Sequence, residues 1–478
     1  MSIRYVSTRD VTKEKTYTAS QAILQGIAKD GGLFVPDKMP SVAFDWDVWS
    51  KKTYQEVAAD ILQLFLTDYT KEEIEYCVNA AYDQKFDTSD IAPVKKVGEH
   101  YVLELFHGNT IAFKDMALSI LPYLLITASK KQQSDKDIVI LTATSGDTGK
   151  AAMAGFADVP HTKIIVFYPK DGVSQIQERQ MITQKGENTT VIAIRGNFDD
   201  AQTKVKELFM DDALNQELAT FGYQFSSANS INIGRLVPQV AYYVYAYAAL
   251  IKQKVLVAGE QMNVSVPTGN FGNILAAYFA KQIGVPIKTL VCASNKNNVL
   301  VDFFNNGIYD RKRPFFVTTS PSMDILVSSN LERLVYQITS NNAKETKALM
   351  QELQEKGEYT IDESMKARLE DFVAGFATEE ETATVIQQEF VKNGYVFDPH
   401  TAVAVHVYQQ YQQQTQDNTP VVIASTASPY KFPRSVMAAL QSEIGEDDFE
   451  LVEELHKTSH VPIPDAVTSV LHAPVRHT

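Results

Sequence analysis

Residues 107–115 read HGNTIAFKD and hold one lysine, Lys114, among apolar and hydroxylic neighbours. An acid follows it, then an amphipathic run over 116–128. An ammonium is costly to bury, and burial lowers its pKa. A desolvated lysine attacks carbonyls and forms Schiff bases. A lysine with a buried stem and a head that reaches solvent gives the same local pattern. Lys114 alone leaves both readings open.

Three other loops combine small residues, hydroxyls and amides. Pro267-Thr268-Gly269-Asn270-Phe271-Gly272-Asn273 joins a predicted strand to a predicted helix. Its glycines let the backbone approach a ligand closely. The helix that follows offers unpaired N–H groups and the positive end of its dipole, which suits a phosphate. Asn270 and Asn273 add side-chain donors, although many ordinary strand–helix turns also contain glycine. The second loop is Thr144-Ser145-Gly146-Asp147-Thr148-Gly149-Lys150. It is not a nucleotide P-loop: Thr144 stands where GxxxxGK needs its first glycine, and Ala151 where it needs Ser or Thr. It still opens a helix with small residues and can clamp a carboxylate. Asp147 would repel such an anion unless its own carboxylate is occupied in capping the helix. The third loop, Ser425-Thr426-Ala427-Ser428-Pro429, follows the last predicted strand and can serve simply as a cap for the next helix. Arg235 is either a structural arginine or a phosphate ligand, since its guanidinium fork matches phosphate oxygens. His400 reads as a capping or packing histidine.

These loops need a framework. At 478 residues the chain is too long for one simple core, so two or three domains are expected. Residues 1–92 read as a mainly helical lead domain. Ser20 is expected to cap a helix over 21–28, with Asp30-Gly31-Gly32 stopping it. Further helices are expected over 57–65 and 72–81. From about residue 93 the pattern becomes an alternation. Strand-length apolar runs at 138–141, 163–168, 190–194 and 224–226 are interleaved with helical stretches at 148–157, 174–183, 199–211 and 236–251. A strand at 263–266, a helix at 272–283 and a strand at 287–292 follow. This alternation predicts an α/β fold, parallel sheet covered by helices. Residues 341–392 are rich in Glu, Gln, Lys and Ala and read as a helical insertion, with a capping box at Thr378. A last strand over 420–424 leads into a polar tail.

Composition narrows the function. Net charge is −14 and the two cysteines, Cys77 and Cys292, are far apart. The charge argues against general nucleic-acid binding and against an anionic membrane surface. The cysteines form no CxxC, which argues against a disulfide framework or a structural zinc site and fits a reducing cytoplasm. The nine histidines form no HExxH, so no catalytic metal is expected. The N-terminus has charges where a signal peptide needs an apolar core. The most apolar helical window, 236–251, is too short to span a bilayer.

Several segments together resemble a known family. TxAFKD at 110–115 is similar to the cofactor-lysine motif of pyridoxal-phosphate enzymes of the tryptophan-synthase-β type, and more narrowly of the longer subgroup of threonine synthases. YVSTRD at 5–10, DGGLFVP at 30–36, SGDTG at 145–149, SSANSINIGR at 226–235, GNFGN at 269–273 and STASP at 425–429 resemble that family in the same order. Ser320-Pro321-Ser322-Met323-Asp324 and Asp398-Pro399-His400-Thr401-Ala402 are also family-like, with no role assigned.

The resemblance implies that Lys114 holds pyridoxal 5'-phosphate as a Schiff base. Gly269, Asn270, Phe271, Gly272 and Asn273 would hold the cofactor's phosphate. It puts a hydroxyl, Thr426 with Ser425 as runner-up, beside the pyridine nitrogen. A hydroxyl does not keep the pyridine protonated as an aspartate would, so the electron sink is milder. Ser145, Gly146, Asp147 and Thr148 would lie against the substrate, and Arg235 would meet its phosphate. Familiar members carry His-Pro where this chain has Ser428-Pro429. The implied architecture is two α/β domains, a large one from 93–130, 250–340 and 393–478 and a small one from 131–249, with the helical lead domain and the insertion. The implied reaction converts O-phospho-L-homoserine and water to L-threonine and phosphate. Lys114 would be the base at Cα. A second deprotonation at Cβ would then let phosphate leave, and water would add at Cβ. A related phospho-lyase would instead release a 2-oxo acid, ammonia and phosphate. A hydroxy-amino-acid dehydratase fits less well, because its usual loop reads SSGNH-like. A silent binding protein would not need Lys114, GNFGN and SGDTG intact. The expected partner is a small molecule, with no nucleic acid or membrane. The expected state is a cytoplasmic monomer, with a dimer as the alternative.

Overall fold

A computed structural model describes residues 2–12, 14–144, 146–170, 173, 175–196, 198–441, 443–471 and 473–477. Ser145, expected against the substrate, lies outside the described residues.

Two sheets organise the chain. The larger is built from β1 (Val94–Val97), β2 (His100–Glu104), β7 (Met262–Pro267), β8 (Ile287–Ser294), β9 (Phe372–Phe376) and β10 (Val421–Ser425). Its order is β9-β8-β7-β10-β2-β1, parallel throughout except for the β1–β2 hairpin. The smaller holds β3 (Asp137–Ala143), β4 (Thr162–Pro169), β5 (Thr189–Ile194) and β6 (Tyr223–Ser226), all parallel, in the order β5-β4-β3-β6. Central strands of such sheets are covered on both faces and read as continuous apolar runs. β7 is buried at every position, as is β10.

The helices that matter for the site follow these strands. They are α1 (Asp147–Phe156), α2 (Gln175–Ile182), α3 (Ile233–Lys252) and α4 (Gly272–Gln282). α3 is almost entirely buried. It packs on α4 and on the N-terminal helix Tyr54–Phe65, so the lead segment is cemented to the larger sheet through it. No described helix is long and apolar enough to cross a membrane.

Open parallel sheets bind ligands beyond the carboxyl ends of their strands. HGNTIAFKD follows β2, SGDTG follows β3, GNFGN follows β7 and STASP follows β10. All four loops picked out by their residues therefore leave the same kind of edge.

Several expectations need correction. The first helix is Ala19–Gln25, not 21–28. Thr18 caps it in a capping box with Gln21, and Gly26 ends it at φ 74°; Ser20 instead accepts from the Gln132 amide at 2.9 Å. The run 116–128 is two helices, Asp115–Leu118 and Leu121–Lys131, the second opened by Pro122. The segment 341–392 holds the helices Ala343–Lys356 and Glu379–Asn393, the latter with the Thr378 capping box. It also contributes the strands Glu358–Thr360 and β9. β9 runs parallel to β8 and forms the outer edge of the larger sheet, so it is structural rather than peripheral. The polar tail contains the helices Pro433–Leu440, Asp448–Ser459 and Asp465–Leu471, whose Val436, Met437, Leu451, Val452 and Leu455 are buried.

Candidate active site

Lys114 is placed by a tightly folded loop. Asp115 accepts the Thr110 N–H at 2.8 Å and its hydroxyl at 2.6 Å, which closes residues 110–115 on themselves. Ile111 takes a left-handed φ of 53° to make the turn. The loop is then zipped to the STASP segment. The Phe113 N–H donates to the Thr426 carbonyl at 2.8 Å and the Ser428 N–H to the Ile111 carbonyl at 3.0 Å. The Lys114 side chain is only 13% exposed. Its Nζ donates to Ser322 Oγ at 3.3 Å and faces Asp147 Oδ2 at 3.6 Å. The desolvated reading therefore prevails over the solvent-reaching one. Burial lowers the Lys114 pKa; Asp147 opposes this, while Lys431 and Arg235 add to it.

The Gly269–Asn273 loop is shaped for close approach. A Cβ on Gly269 would stand 2.7 Å from the Ser322 carbonyl. Phe271 is the N-cap of α4 at φ 64° and makes no side-chain cap, so the helix's first N–H groups have no side chain from that residue. Its ring is buried against Phe304 and Phe372, so Phe271 offers backbone rather than side chain. Asn270 is exposed, and Gly272 opens the helix. Asn273 is buried; its Oδ1 accepts the Tyr243 hydroxyl, and its Nδ2 has no partner. An orphaned buried donor beside an uncapped helix N-terminus is what a phosphate would satisfy.

In the SGDTG loop the cap is Thr144, not Asp147. Thr144 Oγ1 accepts the N–H groups of Gly146 at 3.0 Å and Gly149 at 2.9 Å. Gly146 sits at φ 134°, and a Cβ there would meet the Gln177 amide at 2.5 Å. The Asp147 carboxylate does not cap the helix; it is buried, with partners on both oxygens. Its Oδ1 accepts from Gln177 Nε2 at 2.9 Å and pairs with Lys431 at 3.3 Å; its Oδ2 accepts from Ser322 Oγ at 3.0 Å. Burial alone would raise its pKa, but Lys431 and Lys114 hold it far below the usual carboxylate range. Thr148 is half-buried on the first turn of α1.

The two hydroxyls after β10 have different duties. Ser425 Oγ lies 3.2 Å from Thr401 Oγ1, which is itself bound to Asp398. Among the described residues the Thr426 hydroxyl makes no hydrogen bond, while its N–H donates to Thr401 Oγ1 at 3.3 Å. Thr426 is thus the free hydroxyl. Ser428 accepts from the Tyr430 N–H at 3.3 Å and caps the short turn Pro429–Lys431.

Arg235, on the first turn of α3, is 4% exposed. Its Nη1 donates to the Ala228 carbonyl at 3.0 Å, and its Nε is buried without a partner. Among the described residues no carboxylate pairs with it, and burial pushes its pKa down to about 10. A buried cation without a counter-charge is costly, so an anion would complete the site.

Sequence reasoning left other residues without a role. Ser322 bridges Lys114 and Asp147, and its N–H donates to His400 Nε2 at 3.1 Å. His400 Nδ1 in turn donates to Asp398 at 2.9 Å. Lys431 is fully buried, and Lys150, bound to Gln184, has its pKa pushed down to about 7 by burial and by Lys431. The signal for these lysines was present: each stands alone in an apolar stretch, as Lys114 does.

Comparison with known proteins agrees with this geometry. Residues 92–427 match the profile of the pyridoxal-phosphate dependent enzymes. Residues 4–82 match the threonine synthase N terminus, and residues 401–471 the threonine synthase C-terminal profile. Threonine synthase of Schizosaccharomyces pombe is 35% identical, over 92% of this chain and 90% of its own.

The chain belongs to the threonine synthase family.

Its cofactor is pyridoxal 5'-phosphate. The structure of PLP-bound threonine synthase from Brucella melitensis matches all of this chain and 96% of its own, with a TM-score of 0.88 at 34% identity. The yeast threonine synthase structure matches 99% and 95%, with a TM-score of 0.89 at 31% identity. Human threonine synthase-like 1 is 38% identical over 92% of this chain. The chain spans only 61% of that relative's length.

Proposed function

We propose that this member of the threonine synthase family makes L-threonine and phosphate from O-phospho-L-homoserine and water, with pyridoxal phosphate carried on Lys114. The observation that carries the reading is the pair of unsatisfied anion sites near Lys114. The α4 N-terminus with Asn273 Nδ2 is one, and Arg235 with its orphaned Nε is the other. The family's cofactor and this substrate each carry one phosphate.

When bound, the cofactor supplies an electron sink for charge left at the carbon bearing the substrate amine. The remaining work belongs to the protein. The backbone of Gly269 to Asn273 would hold the cofactor phosphate, and the Thr426 hydroxyl would serve the pyridine nitrogen. The N–H groups at the start of α1, with the Thr148 hydroxyl, hold the substrate carboxylate. Asp147 is already satisfied by cations and donors, so it does not present a bare charge to that carboxylate. Arg235 binds the leaving phosphate in bidentate fashion. Lys114 Nζ takes the Cα proton, and its burial shifts it toward the neutral form that task needs. The substrate is a small molecule, and we read the chain as a cytoplasmic monomer.

A second reading keeps a specific footing. Relatives named threonine synthase-like 1 are 37–39% identical, against 35% for the Schizosaccharomyces pombe synthase. A phospho-lyase releasing a 2-oxo acid, ammonia and phosphate would use the same groups and differ only in the fate of the last intermediate. Purified protein mixed with O-phospho-L-homoserine separates the two. Equal release of phosphate and threonine is the expected result; phosphate with 2-oxobutyrate would replace the synthase reading with the lyase.

A further inference from the structure

Lys431 has no part in the proposed chemistry, yet its ammonium is fully buried. It donates to the Thr110 carbonyl at 3.1 Å and to Gln180 Oε1 at 3.1 Å, and it pairs with Asp147 Oδ1 at 3.3 Å. Two hydrogen bonds and one ion pair thus satisfy the ammonium, the condition under which a buried charge is tolerable. The acceptors come from three places: the loop that carries Lys114, α2 and α1. From Asp147 the chain of contacts continues through Oδ2 to Ser322 Oγ at 3.0 Å and from Ser322 Oγ to Lys114 Nζ at 3.3 Å.

We infer that Lys431 is a positioning residue for Lys114, acting through Asp147 and Ser322 to fix where the amine rests and how readily it gives up its proton. This rests on Lys114 being the lysine that carries the cofactor. Lys431 anchors the Asp147 carboxylate from the side opposite Lys114, so Asp147 and the Ser322 hydroxyl form a fixed seat for the amine whenever it is free. Electrostatics has two arms. The carboxylate favours the charged amine, while the ammonium behind it favours the neutral one. Other groups around the amine are Arg235 from α3, a second cation, and His400, which lies behind Ser322 and meets its backbone N–H. Asp115 is turned away and holds Thr110; Lys150 lies near Lys431 and Asp115 and binds Gln184.

The two arms predict opposite effects. The measurement is the rate at which cofactor-free protein takes up pyridoxal 5'-phosphate, followed from pH 6 to 10 by the visible band of the lysine–cofactor adduct, with Lys114→Ala as the blank. Only the neutral amine reacts, so the rate at a fixed pH below the limb reports its ionisation. Lys431→Met removes a cation near Lys114 and lowers that rate by about threefold or more, since one pH unit of displacement is tenfold. Asp147→Asn removes the carboxylate and raises it by a similar factor. Lys431→Arg keeps the charge and stays within about twofold of the parent. The inference is overturned if Lys431→Met and Asp147→Asn, both folded by circular dichroism, keep the parent profile or move it in one direction. Should Lys431→Met not fold, Asp147→Asn decides alone: a faster rate supports the seat, and an unchanged one overturns it. An adduct band that survives in Lys114→Ala overturns the assignment of Lys114 and this inference with it.

Discussion

Arg235 shows at the scale of one residue how a site can be recognised by what it lacks. A guanidinium 4% exposed, with one N–H orphaned and no carboxylate beside it among the described residues, is a poor stabilising device. Replacing a buried charge by an apolar group of similar volume is often neutral or stabilising, by about 1–4 kcal/mol. Arg235→Met should therefore leave the urea midpoint of the cofactor-free protein unchanged or higher. In the same variant KM for O-phospho-L-homoserine should rise, because truncating one partner of a buried charge pair costs about 2–5 kcal/mol. A fallen midpoint with an unchanged KM would make Arg235 structural. The hydroxyls after β10 give a parallel contrast. Ser425→Ala breaks a buried link to Thr401 and should cost about 1 kcal/mol in urea unfolding. Thr426→Val, whose hydroxyl makes no hydrogen bond within the described protein, should cost less than half as much and instead alter the visible spectrum of the bound cofactor.

Elements decide whether such residues meet. Thr144 joins β3 to α1 by accepting two N–H groups, from Gly146 and Gly149. Thr144→Val leaves both unpaired at a buried helix start and should cost about 1–2 kcal/mol in urea unfolding; Thr144→Ser should restore most of it. The alternation of strand-length and helix-length runs was enough to place β3 to β8 and their helices in the sequence, because the runs have strand length whether buried throughout, as in β7, or partly exposed, as in β5. The four loops were also legible, since glycines, hydroxyls and one odd lysine mark them. The roles inside the loops were less so. Whether Thr144 or Asp147 caps α1 depends on which side chain finds a better partner elsewhere, and that partner, Lys431, lies 284 residues further on. β9 was hidden for a similar reason. Its sequence, FVAGF, is five residues within a charged helical neighbourhood, and only pairing with β8 makes it a strand.

Across the whole molecule, the lead segment meets the larger sheet at His107. Its Nδ1 lies 2.5 Å from Asp87 Oδ1, and its Nε2 lies 2.8 Å from Glu104 Oε2. Glu104 also accepts from the Tyr395 hydroxyl at 2.7 Å and pairs with Lys95 at 2.9 Å. The Asp87 N–H donates to the His107 carbonyl at 2.9 Å, so both backbone and side chain tie the end of the lead segment to the base of the Lys114 loop. Burial alone would lower the His107 pKa, but hydrogen bonds to Asp87 and Glu104 raise it from 6.5 to about 9. The folded protein therefore binds this proton more tightly than the unfolded chain. The resulting stability is fully present below pH 6.5 and is lost as pH rises through about 9. Its size is roughly 2–3 kcal/mol across that window, reduced where the partly exposed Asp87 is screened by water. Unfolding in urea at a series of pH values should show this alkaline decline, and His107→Asn should flatten it while lowering stability at pH 6. Because the same residue begins HGNTIAFKD, the decline should be steeper in cofactor-free protein, in which the Lys114 loop keeps its ties to Asp115, the STASP segment, Lys431 and Ser322 but lacks the cofactor. An alkaline slope that persists unchanged in His107→Asn would place the titrating group elsewhere and leave the joint as simple packing.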